Sequence, residues 1–139
     1  MPGSGDILCD DKFKFTDGSM GKKLFVVLND AEPPAPWLVV KTTSQSKRYQ
    51  NVKAGCNADR RVFYITASSH QVFKLDTYIQ LDEIFEYTAT QFINGTWNKD
   101  ITSIGRLSAE TFSQLKNCLK KLRDDISAKH YNLIIKKIK

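Results

Sequence analysis

No uninterrupted apolar stretch in this 139-residue chain approaches the roughly 18 residues that a membrane-spanning helix requires. Its first residues, Met1-Pro2-Gly3-Ser4-Gly5-Asp6, lack the basic region followed by an apolar one that marks an export leader. The expectation is a chain that is neither inserted in a membrane nor exported. Cysteine is scarce: Cys9, Cys56 and Cys118 are an odd number at wide spacing, which suits neither a disulfide framework nor a four-ligand zinc site. The expected location is therefore a reducing cytoplasm, with Cys56 a structural or incidental thiol rather than a reactive one. Histidine is scarcer still, and no spacing fixes a partner for His70 or His130. Each reads as a solvent-facing or capping imidazole rather than half of an acid–base pair. The sequence also has no phosphate-binding glycine loop, no HExxH, no paired-cysteine motif and no GxSxG. Nucleotide hydrolysis, zinc hydrolysis and serine-esterase chemistry thus have no motif behind them, and neither a metal nor a cofactor is expected.

What is present describes one globular domain. Apolar residues make up 41% of the chain and charged residues 26%, which excludes collagen-like and wholly disordered chains. Charge is distributed unevenly. Residues 1–105 hold twelve basic and twelve acidic side chains, and residues 106–139 hold nine and three, so the whole net charge of +6 lies in the tail. Such a tail suits a phosphate backbone, an acidic protein partner or a solvated helix face.

The first two-thirds reads as β. Alternation at Phe13 and Phe15 ends in Thr16-Asp17-Gly18-Ser19, a turn with glycine available for a positive φ. Lys23-Leu24-Phe25-Val26-Val27-Leu28 is nearly continuously apolar and is stopped early by Asn29-Asp30 and Pro33-Pro34-Ala35-Pro36, as in a strand buried on both faces. Trp37–Thr43 is a third strand with Trp37 buried, residues 44–60 form a loop, 61–65 a fourth strand and 78–87 a fifth. Five strands without intervening helices predict antiparallel pairing in a small barrel or curled sheet, about residues 5–87. A polar connection, 88–106, follows. Its Trp97 either stacks on a base or caps the core. Residues 107–139 are a basic helical segment: Phe112, Leu115, Leu119, Leu122 and Ile126 make one helical stripe behind Ser108 as N-cap. Tyr131, Ile134, Ile135 and Ile138 either continue that helix or form a second one capped by Ser127.

Candidate functional residues gather at two strand ends. Lys22 and Lys23 begin the second strand, and Lys41-Thr42-Thr43-Ser44-Gln45-Ser46-Lys47-Arg48-Tyr49 ends the third. Hydroxyls hydrogen-bond phosphate oxygens, Lys and Arg neutralise them, and Tyr49 offers a stacking face.

In these residues the chain resembles the MazF/PemK family of toxin ribonucleases. The matching stretches are Gly5-Asp6-Ile7-Leu8, Phe15-Thr16-Asp17-Gly18-Ser19, Lys22 to Leu28, Val39 to Gln45, Leu75 to Ile84 and Ile104-Gly105-Arg106-Leu107-Ser108, in the family's order over about residues 5–122. The resemblance implies a mainly β fold, a small SH3-like curved antiparallel barrel with a C-terminal helix, usually as a homodimer. It implies metal-independent cleavage of single-stranded RNA through attack of the 2′-hydroxyl on the adjacent phosphorus, and inhibition by an acidic antitoxin protein. The family's catalytic Arg falls at Lys23 and its Thr at Thr43, with Ser44 beside it. Leu24 stands where the family has Pro, and Glu83 where many members have Gln; there Glu83 is either the base or a paired carboxylate. Lys22, Lys41, Lys47, Arg48 and Tyr49 are the implied RNA-binding residues. Lys keeps the charge of the family's Arg but lacks its planar fork, so a barrel that binds nucleic acid or an acidic protein without cutting is the alternative.

Overall fold

The computed structural model describes residues 1–67 and 72–135. Eight strands form one antiparallel sheet: β1 (Asp6–Lys14), β2 (Met20–Val27), β3 (Trp37–Thr43), β4 (Gly55–Asn57), β5 (Val62–Ile65), β6 (Thr77–Gln80), β7 (Phe85–Tyr87) and β8 (Ile101–Arg106). Their order is β4-β5-β6-β3-β2-β1-β8, with β7 also on β3. The sheet is barrel-like but open, and β4 and β8 are its two ends. Gly18 takes the positive φ, 92°, that the β1–β2 turn needs. His70 and Ile138 lie outside the described residues.

β2 is buried on both faces, as its composition predicts, and the sheet carries a core on each side. Val26 joins Ile7, Leu38, Val40, Phe63 and Ile79 under the helices, whereas Phe25 and Val27 join Leu8, Phe13, Trp37, Val39 and Tyr87 on the opposite face. The period of two along a strand makes this partition automatic. Trp37 is 2% exposed, and its Nε1 donates to the Pro2 carbonyl.

The expected fifth strand, 78–87, is two strands. Ile79 and Tyr78 pair with Thr42 and Thr43, whereas Phe85, Glu86 and Tyr87 pair with Val39, Leu38 and Trp37. β3 thus has two successive neighbours on one side, and residues 81–84 step between them. The connection 88–106 is likewise structured. Thr88 and Gln91 form a capping box that starts α1 (Ala89–Trp97), and β8 then pairs with β1. Gly95 lies so close to Ile101 that a β-carbon there would collide with its side chain, which is how α1 seats against β8. Trp97 neither caps the core nor is covered, being 85% exposed. The segment 44–60 is not all loop, since it contains a 3-10 turn at Ser46–Tyr49 and strand β4.

Ser108 caps α2 (Ala109–Lys121) by accepting from Thr111 N, and Leu115, Leu119 and Leu122 are buried on the sheet. α3 (Ala128–Ile135) is a separate helix: Ser127 Oγ accepts from His130 N, and Ile134 completes the core. His130 is not a solvent-facing imidazole. Its Nε2 lies 2.7 Å from Glu86 Oε2, and Lys129 Nζ donates to the same oxygen at 3.3 Å, pinning α3 to β7. The His130 hydrogen bond, with help from Lys129, holds the Glu86 carboxyl below the usual range against the opposing effect of burial. A depressed folded-state pKa adds stability that is fully present above the unfolded value and lost as pH falls through the folded one. Glu86→Gln should therefore lower the melting temperature at neutral pH and leave it unchanged once acid has protonated Glu86, a difference read from melts across pH.

Cys56 and Cys118 form a disulfide, with Cα atoms 5.5 Å apart, that bonds β4 to α2. This corrects the reading of Cys56 as a thiol, structural or incidental, since its sulfur is bonded to that of Cys118. Sequence spacing hides the pair because 62 positions separate the two residues and only the packing of α2 over the sheet brings them together. Cys9 remains a buried free thiol.

Candidate nucleic-acid interface

Residues at the start of β2 and the end of β3 meet because the strands are antiparallel neighbours. Phe25 pairs with Lys41 and Val27 with Val39. The same ladder, continued by two residues, sets Lys23 opposite Thr43, and odd-numbered side chains of both strands share a face. An open cleft of about 520 Å³ results, lined by Lys22, Lys23, Thr43, Ser44 and Lys74, with Leu24 and Phe73 among its apolar walls. Lys22, Lys23 and Lys74 have no ion-pair partner among the described residues. Burial, followed by the charges of Lys41 and Arg48, pushes the Lys23 ammonium below its ordinary pKa. Three cations thus line one cleft, and the most buried of them is under electrostatic pressure that an incoming anion would relieve.

The hydroxyls differ in what they offer. Thr42 is buried, and its Oγ1 donates to the Leu24 carbonyl, tying β3 to β2. Thr43 is 7% exposed; its Oγ1 accepts from Gln45 N at 3.2 Å and so shapes the turn out of β3. Ser44 is exposed at the mouth.

Glu83 does not line this cleft. Its carboxylate accepts from Thr16 Oγ1 at 3.2 Å and pairs with Lys41 at 3.8 Å. Lys41 in turn lies 5.4 Å from the Phe85 ring centroid. Lys47 and Tyr49 line an adjoining cleft with Tyr64 and Tyr78, and Arg48 lies 5.8 Å from the Tyr49 ring centroid. Lys23, Thr43, Ser44 and Lys22 therefore come together, while Lys41 and Glu83 pair beside them and Lys47, Arg48 and Tyr49 form a neighbouring wall.

Three contributors escaped the sequence reading. Lys74 sits in a segment without periodicity and carries no motif. Tyr64 and Tyr78 look like ordinary strand aromatics until β5 and β6 are paired. Among the described residues, no cluster of three or more His, Cys, Asp or Glu side chains is placed to hold a metal ion, and no helix is long and apolar enough to cross a membrane. Comparison of the chain with protein-family models and with curated proteins finds no match.

Proposed function

We propose that this chain is a metal-independent endoribonuclease of the MazF/PemK kind, whose cleft holds one phosphodiester of single-stranded RNA. The observation that carries this proposal is that Lys23 and Thr43 line one open cleft together with Lys22, Ser44 and Lys74. In the reaction the 2′-hydroxyl passes its proton to water as its oxygen attacks phosphorus, and the bond to the 5′-oxygen breaks as that oxygen takes a proton from water, leaving a cyclic phosphate and a free 5′-hydroxyl. Negative charge builds on the non-bridging oxygens during attack. Lys23, lining the cleft, stabilises that charge with its ammonium group. Ser44 and Thr43 orient the phosphate, while Lys22 and Lys74 neutralise the flanking backbone. The basic segment from residue 106 onward then has an acidic antitoxin as its proposed partner, and the chain acts as a homodimer.

One observation favours binding without cleavage. Glu83, the carboxylate expected to serve as base, is held outside the cleft by Thr16 and Lys41. Another bears on location. Cytoplasmic residence belongs to the same proposal, but a disulfide such as Cys56–Cys118 persists best in an oxidising compartment. Incubating the purified protein with a long single-stranded RNA in EDTA separates the two activities. Cutting that depends on Lys23 and Ser44 supports the nuclease, whereas salt-dependent binding with the RNA left intact leaves only the binding module.

A further inference from the structure

Sheet pairing sets four residues in a row across one face. Thr43 of β3 pairs with Tyr78 of β6, Tyr78 with Tyr64 of β5, and Tyr64 with Gly55 of β4. Side chains at paired positions share a face, and neighbouring strands lie about 4.8 Å apart. The row is therefore a ladder with rungs close to ring-stacking distance.

Three rings already occupy it. Tyr64 and Tyr78 have centroids 4.8 Å apart and planes 6° from parallel. Tyr49, from the 3-10 turn after β3, stacks on Tyr78 with centroids 5.2 Å apart and planes 21° from parallel. The Tyr49 end of the stack is closed. Arg48 and Arg60 lie 5.8 and 5.9 Å from its ring centroid, and Gln80, only 2% exposed, donates from Nε2 to its hydroxyl. The Tyr64 end is open, because the fourth rung is Gly55 and has no side chain. A β-carbon there would meet no atom within 4 Å among the described residues, and the φ of +93° favours glycine at that position. The stacked rings also line a cleft of about 430 Å³, together with Lys47, Gln50 and Asn51. The Tyr64 ring is held in place by its hydroxyl, which donates to Asp76 Oδ2 at 3.0 Å. The other Asp76 oxygen accepts from Ala67 N.

We propose that the empty rung over Gly55 takes an unpaired nucleobase of the bound RNA, stacked on the outer face of Tyr64, with Lys47 beside its phosphate. The proposal rests on the cleft at Lys23 and Thr43 being an RNA site, and it adds a base subsite roughly 14 Å away, three strand spacings along the same row. Stacking on an aromatic ring tolerates every base. The amides of Gln50 and Asn51 supply edge contacts at the rim.

The test uses short 2′-O-methyl RNA oligonucleotides, which cannot be cut by 2′-hydroxyl attack, carrying 2-aminopurine at successive positions and titrated with the full chain. Quenching confined to one position is expected, retained in Tyr64→Phe and lost in Tyr64→Leu, with affinity falling about 5- to 150-fold in the latter. Lys22→Ala with Lys23→Ala should weaken affinity yet keep the quench at saturation. Binding without a quenched position, or wild-type quench and affinity in Tyr64→Leu, overturns the base subsite alone. No salt-dependent binding by the wild-type chain overturns the subsite together with the RNA reading. Should Tyr64→Leu fail to fold, the position scan on the wild-type chain decides by itself.

Discussion

Replacing Lys23 by methionine should lower the rate of RNA cleavage about 100- to 1000-fold with the melting temperature nearly unchanged, since removing one preorganised stabiliser of transition-state charge typically costs that much. Methionine keeps much of the length and apolar bulk of the lysine stem, so the half-buried position stays filled. What disappears is the ammonium group lining the cleft. Relief from burial and from the nearby charges of Lys41 and Arg48 should let the variant fold at least as well as the wild type. Lys23→Arg restores the charge and adds a fork that can grip two phosphate oxygens, so it should recover most of the lost rate. Single-turnover cleavage of a labelled RNA reads both variants. A Lys23→Met enzyme that cuts at the wild-type rate would show that the ammonium is a bystander.

Removing both bridging cysteines should be the largest single blow to stability. Cys56 and Cys118 are 62 residues apart, and closing a loop of that size in the unfolded chain is worth about 4 kcal/mol in the loop-entropy account. For a domain of this length that corresponds to a fall of about 10–20 °C in melting temperature for the Cys56→Ala, Cys118→Ala double variant. Beyond the bridge, the three-residue strand β4 has β5 as its one strand partner, and β4 and the segment after it steady the loop carrying Arg48 and Tyr49. Arg60 donates to the carbonyls of Gln50 and Arg48, and Asn57 exchanges hydrogen bonds with Lys53 in both directions. Loss of the bridge should therefore also weaken RNA binding. Alkylation of the unreduced, denatured chain should label one thiol, Cys9, and labelling after reduction should reach all three. Folded Cys9 should resist labelling, because burial pushes its thiol pKa up.

The sequence displayed those parts of the fold that rest on local periodicity. The apolar run through Val26 and Val27 announced a strand buried twice over, and the stripe from Leu115 to Leu122 announced the helix that covers one core. Ser108 marked a helix start by its chemistry, whereas Ser127 left a new helix and a continued one equally open. β8 was hidden because Thr102, Ser103 and Ile104, at the end of the sheet, are all exposed and show no alternation. α1 was passed over although Thr88 and Gln91 spell a capping box, since the helix is short and Asn94-Gly95 imitates a turn. Half of the candidate site was legible for a related reason. Lys23 and Thr43 belong to consecutive strands, so a hairpin argument brings them together. Lys74, Tyr64 and Tyr78 join them only through the crossover that places β6 beside β3, which no local pattern encodes. Of the two roles open to Glu83, base or paired carboxylate, the structure shows the paired one, because residues 81–84 step between two strands and its carboxylate meets Thr16 and Lys41.

The chemistry of the RNA ends is the most direct measurement. Single-stranded RNA incubated with the wild-type chain in EDTA should yield fragments with 2′,3′-cyclic phosphate and 5′-hydroxyl termini, and Lys23→Met and Ser44→Ala should each reduce their formation. Intact RNA, or fragments whose ends and yield ignore both substitutions, would contradict a ribonuclease site between the second and third strands.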